Sequence, residues 1–295
     1  MKKLLILLSL IMPWPVMALD VFTCEPEWAS LVKEIAKDKV DVYSATNSTQ
    51  DVHYIQAKPS LIANIRKADI VVCSGADLEV GWLPVILQKA GNASIQEHGE
   101  NLIYGSDYVK TIEKPNRLDR ADGDVHPMGN PHIHLNPNNL LKVGQIITEK
   151  LSNIDDENTD YYQKNYADFK KRMTEKMKEW QMKAKSLNGK NVITNHKNMS
   201  YLFDWLNIKT VGTLEPKPGI PANSNHLKLL VDTAKKQDIQ FIAFAPFEKA
   251  QPANWLSKQT DIPAIKLPYT VGNDVKDLFE LYDTSINLML QTNRK

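Results

Sequence analysis

Beyond residue 18 the 295-residue chain has no apolar run long enough to cross a membrane, only two cysteines, no basic stripe and no H-E-x-x-H sequence. Each absence excludes a class. A span needs about 20 consecutive apolar residues, so a later transmembrane helix is excluded. Two cysteines cannot build a disulfide-dense scaffold, and the first, Cys24, lies beyond the point where a lipid anchor would be attached. A net charge of +1, with Lys and Asp/Glu mixed along the chain, lacks the footprint that a nucleic-acid backbone requires. Without H-E-x-x-H there is no helical metalloprotease centre.

What is present begins with an export signal over residues 1–18. Lys2 and Lys3 precede the apolar run LLILLSLIM, and Val16 and Ala18 suit a signal peptidase, so the mature chain starts near Leu19 and is destined for the periplasm. The remaining length, at 42% hydrophobic residues overall, can bury one large core or two domains. Cys24 and Cys73 each follow a strand-like run, DVFTC and DIVVC. Neighbouring parallel strands would let them bridge, but spacing alone leaves two buried thiols open as well.

Short apolar runs alternate with helical stretches. Strands are expected at 20–24, 40–44 and 69–73, and again at 191–195, 208–214, 239–245 and 264–267. This predicts an α/β fold of two lobes, 19–155 and 189–295, each a parallel sheet flanked by helices. Between them Tyr162, Tyr166, Phe169, Met173, Met177, Trp180 and Ala184 recur at helical spacing. They mark one face of a long straight helix over 156–188 that joins and braces the lobes.

The segment GDVHPMGNPHIHLNP, 123–137, holds three of the seven histidines between prolines that disfavour regular structure. Open parallel sheets bind ligands at the carboxyl ends of their strands, and two facing sheets form a cleft there. His53, His132 and His196 all lie in loops after strands or beside the boundary between the halves.

In these stretches the sequence resembles the metal-binding solute-binding proteins of bacterial zinc and manganese ABC transporters, two α/β lobes joined by one long helix. The resemblance covers nearly all of the mature chain. DVHYIQAKPS, NPHIHLNP and TNHKNMSYL are similar to the three histidine motifs of that family, which implies His53, His132 and His196 as metal ligands. CEPEW, GADLEVGWLP, LEPKPGIP and LPYTVGNDVKDLFELYD look like the zinc-binding subgroup. In NPHIHLNP the family's Trp is replaced by His134 and its two Asp by Asn130 and Asn136. The aspartate that often follows the last strand is missing. The resemblance then implies Asp277, rather than Asp274, as fourth ligand, although a helix-start carboxylate is also favoured there by the macrodipole.

Three imidazoles and a carboxylate suit tetrahedral Zn²⁺ better than oxygen-loving Mn²⁺. The expectation is a monomeric periplasmic Zn²⁺-binding protein, not an enzyme, that supplies an ABC permease. Manganese binding is the alternative, followed by a zinc hydrolase in which Asp277 or Glu215 activates water; delivery by a periplasmic zinc metallochaperone is left open. His126 and His134 are read either as a flap that passes zinc to His132 or as ordinary loop histidines, and His98 and His226 as surface or helix-start residues.

Overall fold

The computed structural model describes residues 18–97, 99–117, 119 and 122–292. The expected signal segment lies outside these apart from Ala18, and His98 lies outside them entirely. Among the described residues no helix is long and apolar enough to cross a membrane.

The first half forms β1 (Leu19–Thr23), α1 (Pro26–Ala36), β2 (Val40–Ser44), α2 (Pro59–Lys67), β3 (Ile70–Cys73), α3 (Leu83–Ala90) and β4 (Leu102–Tyr104). Its strands are parallel in the order β2-β1-β3-β4. The local causes are plain in α1. Pro26 occupies the first turn, where a missing N–H costs nothing, and Trp28, Leu31, Val32 and Ile35 fall on one buried face. The short β4 was not expected: three residues ending at a turn carry too little pattern to announce a strand.

The second half repeats the plan with β5 (Asn191–Thr194), α6 (Ser200–Trp205), β6 (Lys209–Thr213), α7 (Ser224–Lys236), β7 (Ile239–Phe244), α8 (Ala250–Thr260), β8 (Ala264–Lys266) and α9 (Leu278–Gln291). Its parallel order, β6-β5-β7-β8, matches that of the first sheet. Between the halves run α4 (Pro137–Ile154) and α5 (Thr159–Lys183).

Helix α5 has 25 residues, a length of about 38 Å at ~1.5 Å per residue. Tight turns at Asp156–Asn158 and Ala184–Leu187 flank it, so the regular helix is shorter than 156–188. Tyr162, Phe169, Met173, Trp180 and Ala184 are buried as the spacing implies. The first half of the helix engages the N-terminal lobe: Asn165 Nδ2 donates to Ile35 O at 2.9 Å and the Tyr166 hydroxyl to Leu141 O at 2.9 Å. Its second half engages α9, where the Trp180 and Tyr282 rings stack at 4.9 Å and Trp180 Nε1 donates to Asp283 Oδ1 at 2.8 Å. One apolar cluster runs unbroken from Val72 and Ile103, through Phe169 and Met173, to Val192, Phe241 and Leu267. Trp180→Phe should therefore lower unfolding stability by about 1–2 kcal/mol, through the lost hydrogen bond and thinner packing. An unchanged thermal midpoint would remove Trp180 from the brace.

Cys24 and Cys73 are bonded, with Cα atoms 4.8 Å apart at the carboxyl ends of adjacent strands β1 and β3. In the chain-entropy picture, closing a loop of 49 residues stabilises by about 4 kcal/mol.

Candidate metal centre

His53, His132 and His196 converge between the lobes, although 79 and 64 residues of chain separate them in turn. Their ring centroids form a near-equilateral triangle with sides of 5.7, 5.8 and 5.7 Å. One ligand atom from each lies within 4.8 Å of the others.

Each ring is aimed by its neighbourhood. His53 sits in the short helical turn Val52–Tyr54 after β2, capped by Asp51, whose Oδ1 accepts from the His53 backbone N–H at 3.1 Å and lies 2.7 Å from Nδ1. His132 opens the turn Ile133–Leu135 ahead of α4. Asn130 Oδ1 accepts its backbone N–H at 3.0 Å, and its Nδ1 lies 2.7 Å from the Tyr269 hydroxyl. His196 follows β5, with Nδ1 2.7 Å from Glu215 Oε2, an oxygen that also accepts Gly219 N–H at 2.9 Å. In all three, Nδ1 has an oxygen partner; for His53 and His196 it is a carboxylate, which accepts the Nδ1–H and leaves the Nε2 lone pair for an ion. The buried Nε2 of His132 has no hydrogen-bond partner. Sequence reading had treated Glu215 as a loop residue or a base and overlooked Asp51; their positions beside His53 and after β6 became informative only with the fold.

The electrostatics differ among the rings. Burial, then the neighbouring His196, His53 and His126, holds the His132 imidazole well below its ordinary pKa. Burial also pulls on His196, but the Glu215 hydrogen bond and charge, with help from Glu248 and Asp51, leave it raised. The same contacts lower Asp51, where burial is outweighed by His53. A small void of about 50 Å³ is lined by the triad together with Asp51, Glu215, Phe247 and Glu248. It is room for an ion, not for an organic substrate. A larger vestibule of about 380 Å³ shares Asp124, His132 and His196 with it and is walled by His126, Asn130 and Lys197.

Asp277, expected as fourth ligand, is not among the residues whose ligand atoms converge here. It is the N-cap of α9, with Oδ1 accepting Glu280 N–H at 2.8 Å, so the helix-start reading describes it. Asp274 is exposed in the neighbouring turn.

His134 is also corrected as a flap residue. It is fully buried beneath the triad, with Nε2 2.9 Å from Tyr269 O and Nδ1 2.9 Å from Glu27 Oε1, the latter at angles poor for a hydrogen bond. The Tyr282 hydroxyl donates to its carbonyl at 2.6 Å. Replacement of Trp by His in NPHIHLNP thus goes with a buried carboxylate on α1.

His126 does lie over the centre: its Nε2 is 3.2 Å from His53 Nε2. Burial, then the charges of His53 and His196, lowers its pKa to about 4. Its loop is tied to the second lobe, because Asp124 N–H donates to Pro218 O at 2.9 Å and Lys217 Nζ lies 3.0 Å from Asp122 Oδ1. Gly123, at φ +82°, is needed there, since a Cβ would meet Pro218 O at 2.1 Å. His226 opens α7, with Nε2 2.7 Å from Thr213 O.

A family profile described as zinc-uptake complex component A, periplasmic, matches residues 21–291. The chain is 27% identical over 231 residues to the high-affinity zinc uptake system protein ZnuA of Bacillus subtilis, covering 77% of this chain and 70% of that protein. It is 23% identical over 263 residues to the manganese ABC transporter substrate-binding lipoprotein PsaA of Streptococcus pneumoniae, covering 85% and 80%. A crystal structure of ZnuA superposes with a TM-score of 0.79 at 20% identity, covering 93% of this chain and 99% of the other.

Proposed function

The chain belongs to the periplasmic zinc-uptake complex component A family, and from that premise we propose that it is an exported, monomeric binding protein that captures Zn²⁺ between its lobes and passes it to an ABC permease. His53, His132 and His196 bind the ion through Nε2. The observation that carries this reading is the three-ring triangle with every Nδ1 already engaged by an oxygen. Three borderline nitrogen donors favour zinc over manganese, which prefers more oxygen ligands. Asp51, Glu215 and Glu248 around the void supply negative charge against the dication.

The fourth position is assigned to His126 or water in place of Asp277. A spacing of 3.2 Å between His126 Nε2 and His53 Nε2 is close to that of two nitrogens sharing a tetrahedral ion at about 2.0–2.1 Å from each. A loop residue in that position is suited to receiving and handing over the ion. Binding is favoured over hydrolysis because neither proposed base is available: Glu215 holds His196 and Gly219, and Asp277 caps a helix.

Metal analysis by mass spectrometry of protein purified from cells without added metal tests the reading. About one zinc per chain is the expected result, and manganese in its place would sink the assignment. The groups behind the rings give a finer test. Asp51→Asn, Glu215→Gln and Tyr269→Phe should each weaken zinc binding by about 10–100-fold, as loss of a ligand's orienting partner does. Unchanged affinity in all three, by chelator competition, would mean that the Nδ1 contacts do not aim the rings.

A further inference from the structure

Among the described residues a second cluster of possible ligand atoms lies around the Cys24–Cys73 disulfide. Cys24 Sγ, Cys73 Sγ and a Glu79 carboxylate oxygen lie within 4.8 Å of one another, and all three residues are buried. Glu79 is held in place by its own loop, with Oε1 accepting Ser74 N–H at 2.8 Å and Oε2 accepting Gly75 N–H at 3.1 Å. The adjacent Glu25 is completely buried, and its carboxyl lies against that of Glu79: burial, then the charge of Glu79, holds its pKa well above the usual carboxylate range. Buried carboxylate oxygens are costly without a donor or a cation. The proposed zinc centre uses none of these groups.

We propose that reduction of the Cys24–Cys73 disulfide creates a second site for a soft or borderline divalent cation, formed by the two thiolates and Glu79, with Glu25 Oε1 as fourth donor. Two sulfurs at about 2.3 Å and carboxylate oxygens at about 2.0–2.2 Å from an ion require ligand atoms roughly 3.5–4 Å apart. The spacing of the group accommodates this once the sulfurs are no longer bonded. Gly75 and Glu79 also line a cavity of about 780 Å³. Gly75 is required there, since its φ is +76° and a Cβ would lie 2.5 Å from Ser106 Oγ.

The chemistry balances with a phosphine as reductant. Phosphorus gives two electrons to the S–S bond, which breaks; water supplies a proton to each sulfur and its oxygen to the phosphine oxide. Cation binding then releases both thiol protons to solvent, because the thiolate is the ligand. In a cell, a dithiol protein would supply the electrons and be left as its own disulfide.

Cadmium is the probe, because thiolate-to-cadmium charge transfer absorbs in the ultraviolet whereas imidazole-bound cadmium gives no such band. The full mature chain is titrated before and after phosphine treatment, alone and with His196→Ala. The oxidised protein is expected to give no band. The reduced protein should develop it with one equivalent of cadmium at the new site whether or not His196 is present, with its affinity lowered about tenfold or more by Glu79→Gln. Cys73→Ser should abolish the high-affinity band. No band in reduced protein that keeps its helical circular dichroism would overturn the site. So would a band indifferent to Glu79→Gln, the result expected if reduction merely unfolds the chain and exposes its thiols.

Discussion

Alanine at His53, His132 or His196 is expected to lower zinc affinity by about a hundredfold or more, whereas His226→Ala should leave it within about a factor of two. The total binding free energy of a four-ligand zinc site is on the order of 10–16 kcal/mol, so one imidazole accounts for roughly 3 kcal/mol or more. Each ring also holds a neighbour, and His132 is the case needing care. Its loss leaves the buried Tyr269 hydroxyl without a partner, so His132→Ala should also destabilise the metal-free protein. His53 and His196 pair with the less buried Asp51 and Glu215, and their loss should affect binding more than folding. Chelator competition with a melting curve for each variant separates the two effects. A triad member whose replacement leaves affinity within about twofold is not a ligand.

Acid should release the ion, and a particular ring should set the onset. Zinc needs neutral imidazole, and the apo protein's His196 is raised above the ordinary value near 6.5 while His132 is held well below it. As pH falls, His196 gains a proton first and competes with the ion; His132 competes only under much stronger acid. Between about pH 7.5 and about pH 5.5 affinity should drop roughly ten- to a hundredfold, with His132 contributing no proton in that range. Glu215→Gln removes the carboxylate that raises His196, so it should move the onset to lower pH even though the parent affinity is weaker. The same rings act on folding without metal. His132, neutral in the folded state, takes no proton where the unfolded chain does, so its contribution to stability is lost as pH falls below about 6.5. His196 runs the other way, adding stability at low pH that is lost as pH rises through its folded value. A dissociation constant unchanged over that pH range would refute a three-imidazole centre.

Strands β3 and β7 were legible in sequence because they are largely apolar runs bounded by turn residues, as in DIVVC and IQFIAF. The three-residue LIY of β4 has no such signature, and only pairing with β3 makes it a strand. The face of α5 was legible from spacing alone, but not where its ends tighten at Asp156–Asn158 and Ala184–Leu187. At the centre, the imidazoles stood out because they fall in loops after strands or beside the boundary between the halves. Of the residues behind them, Glu215 and Tyr269 matter through distances that chain order does not encode, whereas Asp51 sits only two residues before His53. Asp277 shows a related ambiguity: a carboxylate that caps a helix and one that binds an ion look alike in sequence. His134 was drawn into the flap by its proximity to His132, whereas its partner Glu27 lies 107 positions away on α1.

The unbroken apolar cluster from Val72 to Leu267 has a kinetic consequence. With the lobes fused by a common interior, the triad is largely preorganised, and little conformational entropy opposes capture. The corollary falls on departure. A site that does not spring open on its own keeps its ion for a long residence time, and affinity resides in a slow off-rate. On the proposed reading, the work of unloading comes from outside the chain, through docking on the permease, and the His126 loop, tied by Asp124 to Pro218 and not by that interior, is where it can act.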